Sequence, residues 1–327
     1  MVAVVVFALV PPLYSHDVYS YVDYARLGVL HGIDPYVRGP AAAPTDPAFA
    51  HVTWPHTTSA YGPLFTLATY PLAWLGVDGA VWALKGVAVA SVLGLAALVG
   101  HLAPARGVDP RRAAAFVALN PLVLVHVVGG GHNDGAAMLV AMAGVAAILA
   151  RREISGGVAL VAAAAIKAST LVVAPFALLA TARRPSRWLM FGGLVAALAI
   201  GLVAYAAFGW HWLDAIGLAG ENQSHTSHLS IPTTLARFTG LDKEPVRIAA
   251  LILYAGFFTY LLAWTWRGND WLRAAAWATL ALLLATSWLL PWYLVWPLPL
   301  VALSRDRPLQ LLTLALTAYQ LGARIPI

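Results

Sequence analysis

The sequence predicts an all-α fold, a polytopic bundle of membrane helices, on three observations. Hydrophobic residues make up 61% of the 327-residue chain and charged residues only 10%, with a mean hydropathy of +0.76. Soluble domains carry far more charge. Apolar runs recur along the whole length, several of them near the roughly 20 residues that cross a bilayer core, which suggests about 10–12 membrane helices. The basic residues collect between these runs in short groups. The net charge of +6 is therefore read as membrane topology and not as a nucleic-acid surface, because Lys and Arg gather in cytoplasmic loops. The absence of cysteine excludes disulfides, thiol catalysis and thiolate metal sites.

Residues 1–13 are apolar, with no charged leader and no cleavage pattern before Asp17. No cleavable signal is expected, and further membrane helix upstream is. A polar outer loop, 15–60, opens with Asp17-Val18-Tyr19-Ser20-Tyr21. A carboxylate where a membrane helix surfaces can be tuned for proton abstraction, or can simply cap the helix expected over 18–30. Asp34-Pro35 starts a turn or meets substrate. Tyr19, Tyr21, Tyr36, Trp54 and Tyr61 form an interfacial belt or stack on sugar faces. The run 61–75 would reverse the topology if it spanned, so it is expected to be interfacial or re-entrant.

Apolar segments then cover 80–102, 113–128, 136–150, 158–182, 188–208, 246–266, 274–303 and 309–321. Basic clusters lie at Arg106-Arg111-Arg112, Arg151-Arg152, Arg183-Arg184-Arg187, Arg267-Arg273 and Arg305-Arg307. If all five are cytoplasmic, each interval contains an outward turn. Those turns fall at 129–135, near Lys167, across 209–245 and at Pro291-Trp292, on the face that carries the Asp17 loop. One outward-facing site in a single domain, 1–327, is the expected arrangement. The pieces 158–167 and 169–182 measure about 15 and 21 Å as helices, short for a bilayer. Helices that stop short usually border a protein-lined cavity.

The outer turns hold the chemistry. Gly129-Gly130-Gly131-His132-Asn133-Asp134-Gly135 combines tight backbone with donors and acceptors, and reads either as a ligand contact or as a turn in which Asp134 caps the next helix. Lys167 interrupts an apolar segment, so it snorkels to the interface or holds a phosphate at the cavity. Lys85 is equally buried by its surroundings, and the sequence supplies no partner for it. His225 and His228 are spaced to share a helical face, but no third metal ligand follows. Their better role is to orient Asp17 or to relay its proton. Arg237 is a second phosphate candidate, since guanidinium suits phosphate oxygens.

The set DVYSY, GIDPY, YGPL, GGGHNDG and AAAIKAS, in this order among hydrophobic helices, resembles the polyprenol-phosphate-mannose-dependent α-(1→6)-mannosyltransferases of actinobacteria, within the GT-C superfamily. The resemblance runs from about Pro11 to Ala182 and is weaker towards the C-terminus. It implies a GT-C-type helical bundle with an outward-facing cavity and a catalytic Asp in the first outer loop, at Asp17. It places the HND turn at His132, Asn133 and Asp134, and the intramembrane lysine at Lys167. It implies a polyprenyl-phosphate-linked sugar donor, a glycan or glycolipid acceptor, the bilayer as setting and the cell membrane as location, with the site outside. No cofactor or metal is expected, a divalent cation being the open alternative. The rival readings are a transporter or flippase, which would place ionisable residues at mid-membrane, and a GT-C transferase for arabinose or galactose.

Overall fold

The computed structural model describes residues 2–180, 185–221 and 225–322, and contains no strand among them. The basic pair Arg183-Arg184 and the segment Asn222-Gln223-Ser224 lie outside the described residues. Helices α1 (Val2–Leu9) and α2 (Asp17–Leu30) are followed by a long loop and α3 (Pro63–Thr69). A 3-10 stretch, Tyr70–Leu75, leads into α4 (Gly76–Leu102). Then come α5 (Pro110–Ala118), a π-helix (Val123–Val128), α6 (Asp134–Leu149), α7 (Glu153–Ile166) and α8 (Ala174–Leu178). The C-terminal half holds α9 (Arg187–Phe208), α10 (Asp214–Glu221), α11 (Ile231–Thr239), α12 (Lys243–Trp266), α13 (Trp271–Ala285), α14 (Leu298–Leu303) and α15 (Arg307–Gly322).

Three of these segments are long and apolar enough to cross a membrane: 63–102, α9 and α12. Five further apolar helical segments are 10–17 residues long. The expected ten to twelve spans thus resolve, among the described residues, into a few full-length helices and several short ones. Pro121, Lys167 and Pro291 explain part of the difference, because the apolar runs 113–128, 158–182 and 274–303 are interrupted at them. The 61–75 run is likewise not a span of its own, since it leads into α4 through Gly76 at φ 72°.

Polar caps set several helix starts. The side chains of Asp109, Ser186, Ser230 and Asp270 accept backbone N–H groups at the first turns of α5, α9, α11 and α13. The core lies where α4, α6, α13 and α14 meet, around Leu95, Met138, Met142, Leu280 and Leu300, each essentially unexposed. By contrast α9 and α12 keep broad apolar faces uncovered, including Leu194, Leu198, Leu202, Ile252 and Leu253. Exposed apolar surface on that scale is expected where lipid, not water, is the neighbour.

The outer loop is pinned to the bundle. Asp46 accepts from Arg26 Nε at 2.8 Å, pairs with His31 Nε2 at 2.7 Å and accepts from Ala48 N at 2.9 Å. Although burial pushes the other way, these contacts hold its carboxyl down at about 2. The Tyr24 hydroxyl donates to the Thr57 carbonyl at 2.9 Å, and the Tyr36 hydroxyl to the Tyr61 carbonyl at 2.8 Å. Gly62 N donates to Ile166 O at 3.2 Å, an approach so close that a Cβ on Gly62 would strike the Ala165 backbone. That contact brings Tyr61 beside the end of α7.

Asp23 lies buried in α2, and neither carboxyl oxygen has a hydrogen-bond partner among the described residues. Burial, with the charge of Asp46, pushes it up to about 7 against Arg26 and His31. The folded state therefore binds the extra proton between about pH 4, the unfolded value, and about pH 7. Stability should fall as pH rises through that window. Asp23→Asn is expected to raise the melting temperature at pH 8 and to change it little at pH 4. An equal shift at both would show that Asp23 is not protonated in the fold.

Candidate active site

Three breaks in helical structure build the site. The first is the start of α2, where Asp17 N donates to Ser15 Oγ at 3.2 Å and the carboxylate sits in the first turn. A negative charge is favoured there by the helix dipole. The second is the turn from the π-helix into α6. Its Gly131 has φ 71°, which glycine adopts freely, and a Cβ there would press on Val18 and Lys85 at 3.2 and 3.3 Å. The third is Lys167, which stands in extended backbone between α7 and a 3-10 stretch, 168–173.

Tertiary packing brings these breaks together. His132 Nε2 stands 3.5 Å from Asp17 Oδ2, an ion-pair distance longer than a hydrogen bond. Its Nδ1 is 2.7 Å from the His126 carbonyl, which can only accept, so Nδ1 carries a hydrogen. Nε2 is then the nitrogen turned to Asp17, and the imidazole lies stacked on Trp292, 3.9 Å between centroids. Burial pushes the Asp17 carboxyl up, but His132 and the ammonium of Lys167 outweigh it and hold the group below the ordinary carboxylate range. The surroundings of Asp17 thus favour its carboxylate form.

Behind this pair, Asp134 is fully buried. It accepts from Lys167 Nζ at 2.8 Å and from Trp296 Nε1 at 2.7 Å. The Lys167 ammonium also lies 5.4 and 5.9 Å from the rings of Tyr293 and Trp296. A cation so placed gains from the ring faces. Lys85, for which the sequence offered no partner, donates to the Gly129 carbonyl at 2.6 Å and to those of Phe7 and Val128 at 3.3 and 3.4 Å. It fixes the glycine turn from below.

These groups border a cavity of about 660 Å³. Asp17, Tyr61, Lys167 and His225 line it, with an aromatic wall of Trp288, Trp292, Tyr293 and Trp296. Tyr21, His132, Asn133 and Asp134 lie buried in the layer behind, and both amide atoms of Asn133 lack a hydrogen-bond partner among the described residues. Four expected site residues are elsewhere. Tyr19 stacks on His51 at 4.8 Å and meets the lining residue His16 edge-on, without itself lining the cavity. Asp34 accepts from Tyr36 N at 2.8 Å and faces His211 Nδ1 at 3.4 Å, so it organises a turn. His228 is exposed and outside the lining, and Arg237 is exposed beside its own neighbour Phe238. None of these four is among the residues that line the cavity with Asp17. The spacing of His225 and His228 implied a common helical face, but they fall in irregular chain before α11. Among the described residues no cluster of three His, Asp or Glu could hold a metal ion.

The aromatic wall is what sequence reasoning missed. Trp288, Trp292 and Trp296 recur every fourth residue around Pro291, a signal hidden inside an apolar run. It could have been read as a proline-broken helix with one aromatic face.

The family model described as alpha-(1->6)-mannopyranosyltransferase, N-terminal domain, matches residues 3–183, which include Asp17, the HND turn and Lys167. Alpha-(1->6)-mannopyranosyltransferase A of Mycobacterium tuberculosis is 31% identical over 89% of this chain and 61% of its own length. The enzyme of the same name from Corynebacterium glutamicum is 31% identical over 54% of this chain and 36% of its own. A probable alpha-(1->6)-mannopyranosyltransferase of Mycolicibacterium smegmatis is 27% identical over 92% and 63%. The chain thus spans less than two thirds of the length of these relatives. No solved structure matches it. With more than half of its residues, and all three breaks that build the cavity, inside the matched region, the chain belongs to the alpha-(1->6)-mannopyranosyltransferase family.

Proposed function

We propose that the cavity transfers a mannosyl residue from a polyprenyl-phosphate donor to a cell-envelope glycan or glycolipid, on the non-cytoplasmic face of the cell membrane. The observation that carries this reading is the Asp17 carboxyl group facing an aromatic-lined cavity, with His132 Nε2 beside it at 3.5 Å. The family relationship supports it. An acceptor hydroxyl gives its proton to Asp17 as its oxygen attacks the anomeric carbon. The bond from that carbon to phosphate oxygen breaks, and polyprenyl phosphate leaves with the electron pair. A β-linked donor then yields an α product by one inversion, which needs one base and no covalent intermediate.

Lys167 spends one N–H donor on Asp134 and has two more, on a side chain 18% exposed at the cavity. Those donors suit the charge that develops on the leaving phosphate. The Trp and Tyr rings offer flat apolar surfaces against which a sugar or the first prenyl units can lie.

The test is incubation of the purified protein with polyprenyl-phosphate mannose and a mannoside acceptor, with product mass and linkage determined. An α-(1→6) dimannoside extension is expected. Transfer only from an arabinosyl or galactosyl donor would reassign the sugar, and movement of the donor between leaflets without transfer would favour a flippase.

A further inference from the structure

A second cavity, of about 590 Å³, lies among the connection from α4 to α5, the start of α13 and the turn from α14 to α15. It is at the far end of the bundle from the aromatic cavity: Asp270 caps the start of α13, whereas Thr286, just past its end, lines the aromatic cavity. The 15 residues of α13 separate the two by about 22 Å. Arg106, Arg273 and Arg305 line this second cavity, and Asp270 is the carboxylate among them.

The partners leave one guanidinium over. Arg106 pairs with Asp270. Arg273 Nε donates at 2.6 Å to Asp306, a buried carboxylate that also accepts from Trp277 Nε1 at 2.8 Å. Arg305 has no carboxylate partner among the described residues. Its side chain lies over Gly107, where a Cβ would come within 3.1 Å of Arg305 Nη1. The backbone of Arg305 is also left-handed, at φ 54°. Only Tyr14, Arg151 and Arg305 among the described non-glycine residues have positive φ, and Tyr14 lines the aromatic cavity. Strain of this kind collects where a side chain must point in one direction.

We propose that this arginine-lined cavity binds a phosphate group, the chemistry shared by an anionic phospholipid headgroup and by free phosphate. Guanidinium presents a planar fork of donors to phosphate oxygens, and three of them converge here with positive charge in excess. The same arginines belong to clusters that the loop-charge pattern assigns to the cytoplasmic side. The site is therefore separate from the donor phosphate at Lys167, and it does not depend on the transferase reading.

The full chain, purified in neutral detergent, is titrated in one arm with inorganic phosphate and in the other with phosphatidylglycerol against phosphatidylcholine. Melting temperature and native mass spectrometry report binding. Saturable binding is expected in at least one arm: phosphate alone identifies a soluble ligand, phosphatidylglycerol alone a headgroup. Arg305→Gly should fold at least as well as the parent, because glycine accepts positive φ. It should bind about tenfold more weakly or worse, the usual worth of one charge-assisted contact. Arg305→Lys, which keeps charge but loses the fork, should fall between. No saturable binding in either arm, or unchanged binding by Arg305→Gly, overturns the proposal.

Discussion

Asp17→Asn is expected to lower turnover by about 10²–10⁴-fold, the usual worth of a general base. The substitution preserves shape and the backbone contact of residue 17 to Ser15 Oγ. It removes the proton acceptor and the anion that faces His132. Donor affinity should change little, since no carboxylate contact to the phosphate is proposed. His132 and Lys167 hold the Asp17 carboxyl low, so the acid limb of the kcat/KM profile should lie below the ordinary carboxylate range. His132→Gln should move that limb upward, because the imidazole no longer helps to hold the charge. Single-turnover rates with pre-bound donor separate the chemical step from binding. Full turnover by the Asn variant would remove Asp17 from the reaction and leave the aromatic cavity without a base.

The second large effect concerns stability. Asp134→Ala is expected to cost about 3–5 kcal/mol, because it leaves the mostly buried Lys167 ammonium without its counter-charge. It also leaves Trp296 Nε1 without an acceptor. Activity should fall with it, since Lys167 and Trp296 both line the cavity. A residue that merely capped α6 would cost about 1 kcal/mol. Lys167→Met combined with Asp134→Leu should recover part of the loss, as a buried pair can be replaced by apolar groups of similar volume. Denaturant or thermal unfolding in detergent measures each step. A loss near 1 kcal/mol for the single variant, with no recovery in the double, would reduce Asp134 to a cap.

Local chemistry made part of this protein legible in the sequence. Composition and loop charge gave a helical membrane chain, and three interruptions of apolar sequence (Asp17, the glycine-rich HND turn and Lys167) marked where helices break. Each is a backbone or charge property of a few neighbouring residues, so no knowledge of distant contacts was needed. Partnership was different. Asp134 looked like an N-cap and is instead the buried counter-ion of Lys167, 33 residues away. Lys85 had no visible partner because its partners are backbone carbonyls, which every residue possesses and no pattern reveals. His225 and His228 looked paired by spacing, yet only His225 reaches the cavity, and the imidazole that meets Asp17 is His132. Helix breaks are set locally by glycine, proline and charge, whereas the pairing of buried charges is set by which breaks the packed helices bring to one level.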